Sequence, residues 1–314
     1  MRSRLVMFVA VAVAAVAVSL TAFRLIGSPS PPVAAHATLP PRSSSYLGVY
    51  ENGSPPGYAP IARFARAAHA TPNIVGYYSG WAQHFATAFA NKLNNHDITP
   101  FVQIDPTFAS VQGIANGAYD RYLRSYADSV RNYRQAVVIG FGHEMNAPWY
   151  PWGYGHVPAA TFIAAWRHVV TLFRAQGADN VTWLWTVNAD RRGTGPVASW
   201  WPGAQYVTWV GIDGYYYHPA DTFASVFGRT ISQVRKFTRK PVLLSEVGVG
   251  PVAGQLPKIG DLFNGMTKAK SLGLVWFDKA QHQGIFHQDW RIENSQSALA
   301  AFDLGVSGLR LVRT

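Results

Sequence analysis

Only four glutamates occur among the 314 residues of the chain: Glu51, Glu144, Glu246 and Glu293. Two of them close apolar, strand-like runs, Glu144 within Gly140-Phe-Gly-His-Glu-Met-Asn-Ala-Pro-Trp-Tyr-Pro-Trp-Gly and Glu246 within Leu243-Leu-Ser-Glu-Val-Gly. Both have aromatic or small neighbours and no Lys or Arg within several residues. An isolated carboxylate at a strand end commonly caps a helix or pairs with an arginine. Two that lack local cations are costly to bury unless the site uses them. A carboxylate pair facing across an aromatic-lined cleft suits cleavage of a glycosidic bond. One carboxyl must be protonated to release the leaving oxygen, and the other ionised to attack or to activate water. Unequal environments and mutual repulsion push the two pKa values apart.

Such a pair needs a frame that brings distant segments together. From residue 46 onward, short β-branched or aromatic runs alternate with Ala-rich segments of helical periodicity. The strand-like runs are 46–51, 73–81, 98–106, 135–146, 181–188, 206–217, 241–248 and 274–279, with helices expected near 59–70, 82–95, 117–133, 158–176, 221–238, 257–271 and 294–303. Several strands are continuously apolar, as in Gln135-Ala-Val-Val-Ile-Gly-Phe, which is the pattern of strands buried on both faces. Eight β/α units in about 270 residues predict an α/β fold, a single (β/α)8 (TIM) barrel over 46–314 with no second domain. An open doubly wound sheet is the competitor, but no G-x-G-x-x-G opens a helix. Functional groups of a barrel stand at the carboxyl ends of its strands. The polar residues there are Glu51, Asp105, His143, Glu144, Asn188, Asp213, Glu246 and Asp278, with strands four and seven opposed across the mouth.

His-Glu-Met-Asn followed by Trp-Tyr-Pro-Trp-Gly, with Ser-Glu-Val-Gly about a hundred residues later, resembles glycoside hydrolase family 26. The likeness extends over residues 46–304 and includes Val210-Gly-Ile-Asp-Gly-Tyr and Asp289-Trp-Arg-Ile. It implies a cofactor-free, retaining β-glycanase with Glu144 as general acid/base and Glu246 as nucleophile. It also implies substrate-binding roles for His143, Trp149, Tyr215 and Trp276, the last as a flat floor under the reacting sugar. Tyr216 and Tyr217 leave the register of Tyr215 open. The implied substrate is β-mannan, acted on internally. Mixed-linkage β-1,3-1,4-glucan is the alternative within the enzyme class, and a non-catalytic polysaccharide-binding barrel the alternative outside it.

Composition narrows the classes further. Charged residues make up 14% of the chain and aromatic residues another 14%, against about 25% charged in ordinary proteins. Many rings must therefore lie partly exposed, and Tyr77, Tyr78, Trp81, Tyr150, Trp152 and Tyr154 fall where they could stack on sugars. Cysteine is absent, which excludes disulfides and thiolate metal sites. His143-Glu144 lacks a second histidine four residues on, and His282 and His287 are a weak pair, so no metal or cofactor is expected. The net charge is +11, and removing the three arginines of residues 1–37 leaves +8. The basic residues are scattered, with the densest run, 229–240, on one amphipathic helix, so nucleic acid is not an expected partner. Arg2 and Arg4 precede an apolar run over 5–23 and an Ala35-His36-Ala37 triplet, reading as a signal peptide or a signal anchor over 1–37 followed by a linker over 38–45. The expectation is an extracytoplasmic monomer, secreted or tethered through residues 5–23.

Overall fold

In the computed structural model, residues 44–190, 193–250, 254–280 and 289–311 are described. Eight parallel strands run β1 (Ser44–Glu51), β2 (Ile74–Gly80), β3 (Thr99–Asp105), β4 (Val137–Phe141), β5 (Val181–Asn188), β6 (Trp209–Tyr216), β7 (Val242–Val249) and β8 (Gly273–Asp278). Each pairs with the next, and β8 pairs with β1, so the sheet closes into a barrel. A ninth short strand, β9 (Arg310–Leu311), pairs with Ser44 and Ser45 and ties the end of the last helix to the start of the first strand. The helices are α1 (Ala59–Ala67), α2 (Thr87–Asn94), α3 (Val111–Ala115), α4 (Asp120–Tyr133), α5 (Ala159–Ala175), α6 (Arg229–Phe237), α7 (Gln255–Lys268) and α8 (Gln296–Ser307).

The expected (β/α)8 barrel is present, with local differences. β1 starts at Ser44, inside the stretch expected as linker. Strand four stops at Phe141, well before residue 146, because Gly142 and Glu144 both take left-handed backbone conformations. The five-residue α3 was not expected, and α6 is preceded by a π-helical turn over Ala224–Gly228. The 193–206 segment carries only two 3-10 turns, in line with its Gly and Pro content. The basic run is the solvated face of α6, where Arg229 pairs with Asp190 at 2.6 Å while Val234 is buried. Residues 1–37, His282 and His287 lie outside the described residues. Among the described residues no helix is long and apolar enough to cross a membrane.

Side-chain alternation sorts the strands into two cores. Tyr46, Tyr50, Phe101, Val138, Leu184, Trp209, Leu243 and Val275 fill the barrel interior. The residues between them, among them Leu47, Val49, Val102, Ile139, Trp185, Ile212 and Leu274, face the helices. The interior is therefore a packed floor, as barrels of this size require. Above that floor the inward residues turn polar: Gln103 donates to Thr186 at 3.2 Å, and Ser245 to Asp213 at 2.6 Å. The floor depends on glycine at one close approach. A Cβ on Gly76 would lie 2.4 Å from the Tyr50 ring, and Tyr78 stacks on that ring at 5.1 Å.

Gly76→Ala therefore overpacks the floor, forcing Tyr50 and with it Tyr78 to move. Urea unfolding should show a loss of about 1–3 kcal/mol, and an unchanged midpoint would mean that Tyr50 can shift without cost.

Candidate active site

Glu144 and Glu246 reach the mouth of the barrel by different backbone devices. Glu144 follows β4 in a left-handed conformation (φ 53°), fixed by its N–H donating to Thr186 O at 3.0 Å. Such a φ is uncommon outside glycine and costs of order 1–3 kcal/mol, typically where a site needs it. Glu246 depends on a bulge. On β7 Leu243 faces the interior and Leu244 the helices, so strict alternation would turn residue 246 outward. The pairing slips between Leu244 and Val247 against β8, and between Gly211 and Asp213 against β6. Ser245 and Glu246 consequently both point into the barrel, which is how a bulge re-aims a side chain.

Each carboxylate is held at both oxygens. Asn188 Nδ2 donates to Glu144 Oε1 at 2.7 Å, and Trp149 Nε1 to Oε2 at 2.6 Å. Tyr78 donates its hydroxyl to Glu246 Oε1, and Tyr215 donates to Oε2 at 2.6 Å. Burial and the nearby carboxylates raise the pKa values of both tyrosines, so they stay hydroxyl donors. Asp213, fully buried beside Glu246 on β6, accepts from Ser245 on one oxygen while its other oxygen has no hydrogen-bond partner. Carboxylate oxygens of Glu144, Asp213 and Glu246 all lie within 4.8 Å of one another.

Burial, then repulsion from Glu246, pushes the Glu144 carboxyl up to about 7, against the milder pull of His143, Asn188 and Trp149. Burial and the same two glutamates hold Asp213 well above the usual carboxylate range. His143 is the compensating cation. Burial opposes its charge, but Asp105, with help from Glu246 and Glu144, outweighs that and raises it to about 9. Its Nδ1–H donates to Asp105 Oδ1 at 2.9 Å and its Nε2–H to the Tyr150 hydroxyl oxygen at 3.0 Å. The three clustered oxygens are close enough to share a cation. Their donors, however, already occupy both oxygens of each glutamate, an arrangement set for proton chemistry.

Of the residues singled out in the sequence, the structure brings Glu144, Glu246, His143, Trp149 and Tyr215 together. The register of Tyr215 is resolved, since Tyr216 points outward and donates to Asp261 at 3.2 Å. Trp276 is elsewhere. It is fully buried on the helix-facing side of β8, packed edge-on against Phe302 of α8 at 5.0 Å and donating to Trp290 O at 2.8 Å. Trp276 pairs with Val49 and Phe277 with Tyr50, so alternation turns Phe277 inward and Trp276 out. Glu51 and Asp278 also face outward as a paired couple, away from the cleft. Tyr78 and Tyr150, expected only as surfaces that could stack on sugars, and Asn188, Asp105 and Asp213, visible only as strand-end polar residues, are the further site partners. Trp152 is buried beneath His143 and donates to its carbonyl at 2.8 Å, and Trp81 packs on Tyr122 at 4.8 Å, so neither is a free platform.

Residues 76–304 match glycosyl hydrolase family 26. Endoglucanase H of Acetivibrio thermocellus is 29% identical over 267 residues, 80% of this chain and 29% of that protein. Mannan endo-1,4-beta-mannosidase A and B of Caldalkalibacillus mannanilyticus is 28% identical over 128 residues, 38% of this chain and 23% of that one. The chain thus aligns with less than a third of the length of either relative. The solved Bacillus subtilis mannanase BCman superposes with a TM-score of 0.63 at 18% identity, covering 83% of this chain and 85% of that one, which supports the fold.

Two titrations test the electrostatics. Asp105→Asn should bring the His143 imidazole down from about 9 toward or below its ordinary 6.5, read by nitrogen-15 NMR. Glu246→Gln should lower the Glu144 midpoint below about 7 by removing a like charge, read by carbon-13 carboxyl NMR. An immobile His143 midpoint would show that the two glutamates, and not Asp105, hold it up, and an immobile Glu144 midpoint that burial alone sets it.

Proposed function

The chain belongs to glycosyl hydrolase family 26, and from that premise we propose that it hydrolyses a β-mannan-type polysaccharide at internal linkages with retention of anomeric configuration. One observation carries the reading. Glu144 and Glu246 each bring one carboxylate oxygen within 4.8 Å of the other's in unlike settings, a close approach that suits double displacement, in which the carboxyls stand about 5–5.5 Å apart.

In this scheme Glu246 attacks the anomeric carbon, its carboxylate aligned by Tyr78 on one oxygen and Tyr215 on the other. Glu144 gives its proton to the departing glycosidic oxygen, and a carboxyl raised to about 7 still carries that proton in mildly acidic solution. With the leaving group gone, Glu144 is ionised and takes a proton from water, which attacks the glycosyl–Glu246 ester. The ester formation removes the charge on Glu246, which relieves the repulsion on Glu144 and favours its role as base in the second half. Trp149, 51% exposed, offers a ring face for the sugar while its N–H stays on Glu144.

Mannan as substrate rests on the mannosidase relative and on the resemblance of the His-Glu-Met-Asn and Trp-Tyr-Pro-Trp segments. A second reading, cleavage of a mixed-linkage β-glucan, is favoured by the endoglucanase relative, which aligns over far more of the chain. A silent glycan-binding barrel is disfavoured by an intact, fully donor-supported carboxylate pair. Export, by cleavable signal or by an anchor over residues 5–23, rests on the charge and hydropathy of the amino terminus.

The test is reducing-end release from galactomannan, glucomannan and mixed-linkage β-glucan. Release on a mannan, abolished by Glu246→Ala, is the expected result; release on the mixed-linkage polymer alone would select the second reading. No release on any polymer, with glycan binding retained, would select the silent barrel. Glu144→Gln should lower kcat/KM about 10²–10⁴-fold. The first-formed product should have the β-configuration by proton NMR, and an α-product would overturn retention. Because Glu144 must start protonated, kcat/KM should fall as pH rises through about 7.

A further inference from the structure

One cation stands in the cleft without a part in this scheme. Lys279 follows β8 by one residue, and its backbone is pinned, its N–H donating to Phe277 O at 2.9 Å and its carbonyl accepting from Trp290 N at 3.0 Å. Its ammonium lies 5.0 Å from the centre of the Tyr78 ring, 5.1 Å from Phe277 and 5.7 Å from Tyr50. Two of these rings adjoin the nucleophile's supports. Tyr78 is itself a donor to Glu246, and Phe277 meets Tyr215, the other donor, edge-on at 5.8 Å.

Ring faces stabilise an ammonium by about 0.5–2 kcal/mol but accept few of its three N–H donors in full. Among the described residues no hydrogen-bond acceptor or carboxylate contacts the Lys279 ammonium. Glu246 and Glu51 act on it only from a distance, and burial lowers its pKa. A partly buried ammonium to which the described residues offer no acceptor, within the field of the carboxylate that attacks an anomeric carbon, calls for oxygen ligands. A sugar ring in the cleft beside Tyr78 brings such oxygens in the form of neighbouring hydroxyls.

We propose that Lys279 is a substrate-binding residue on the nucleophile side of the cleft, donating hydrogen bonds to hydroxyls of the sugar that Glu246 attacks or of the next sugar on the retained side, and that its ligand is a neutral β-linked hexose chain. This rests on the glycanase reading above. Neutral chains fit better than acidic ones because Lys279 already faces the charge of Glu246. A uronate there would add a second anion to the same single cation, in a cleft that also holds Glu144 and Asp213.

The experiment uses the full chain with Lys279→Met, which keeps the apolar stem over the rings and removes the donors; an unchanged melting temperature shows that it folds. Binding is measured by calorimetry with and without Lys279→Met, using mannohexaose and a mixed-linkage glucohexaose on Glu246→Ala and a β-1,4-oligomannuronate on the chain with Glu246 intact. The expected result is a Kd for the neutral hexaose raised about ten- to a hundredfold by Lys279→Met, the range for hydrogen bonds from a charged donor, with the oligomannuronate bound weakly by both. An unchanged Kd overturns the role, and tighter binding of the oligomannuronate, lost in Lys279→Met, overturns the neutral class. In the otherwise native chain KM should rise more than kcat falls. A displaced pH profile at unchanged KM would instead show Lys279 acting through Glu246 alone and would overturn the contact. Should the native chain cleave nothing while Glu246→Ala binds a hexaose in a Lys279-dependent way, the hydrolytic reading falls and the contact stands. Absence of any binding sinks both.

Discussion

The crowding of negative charge at the barrel mouth is the constraint on which the site is built. Two unit charges 4.8 Å apart repel by about 3 kcal/mol at an effective dielectric of ~20, and Glu144, Asp213 and Glu246 would incur that cost for every pair. They cannot all be ionised. The surroundings resolve the conflict unevenly. Asp213, fully buried with one oxygen unpartnered, is driven toward its neutral form. Glu144 is raised to an intermediate value. Glu246 accepts a hydrogen bond from a phenolic hydroxyl on each oxygen. The protonated His143, itself anchored by Asp105, supplies the positive potential.

Both glutamates reach this cluster only through departures from regular structure. Glu144 needs a left-handed backbone after Gly142, and Glu246 needs a slipped register on β7. The strain is carried by what surrounds it: Trp152 packed under His143, Thr186 accepting the Glu144 N–H, and Ser245 pinned to Asp213. The bulge serves two purposes at once, since without it Ser245 and Glu246 could not share the interior. The network beneath and the nucleophile above are thus products of one irregularity.

These irregularities mark where the sequence was legible. The barrel itself could be read because eight apolar runs alternated with helical ones, and Glu144 and Glu246 because they were rare acids ending such runs. Trp276 was misplaced because the resemblance puts a tryptophan on β8 without saying which face it takes. The phase follows from pairing with β1, where Val49 and Tyr50 set the alternation. Tyr78 was visible as a ring that could stack on sugars and Asn188 as a strand-end polar residue, but contacts made across a closed barrel between β2 and β7 have no local signature. The bulge has none either, as Leu-Leu-Ser-Glu reads equally well as an unbroken strand.

The two glutamates also differ in the donors that hold them. The donors on Glu246 come from Tyr78, half-buried and stacked on Tyr50, and from Tyr215, buried beside Trp290. Glu144 shares Trp149, whose indole is half exposed. A pyranose stacked on that ring would displace water from both Trp149 and the carboxyl it holds. Desolvation disfavours the charged form, so the same contact that orients the sugar raises the proton affinity of the group that must protonate it. The exposed tryptophan makes acid strength a consequence of occupancy.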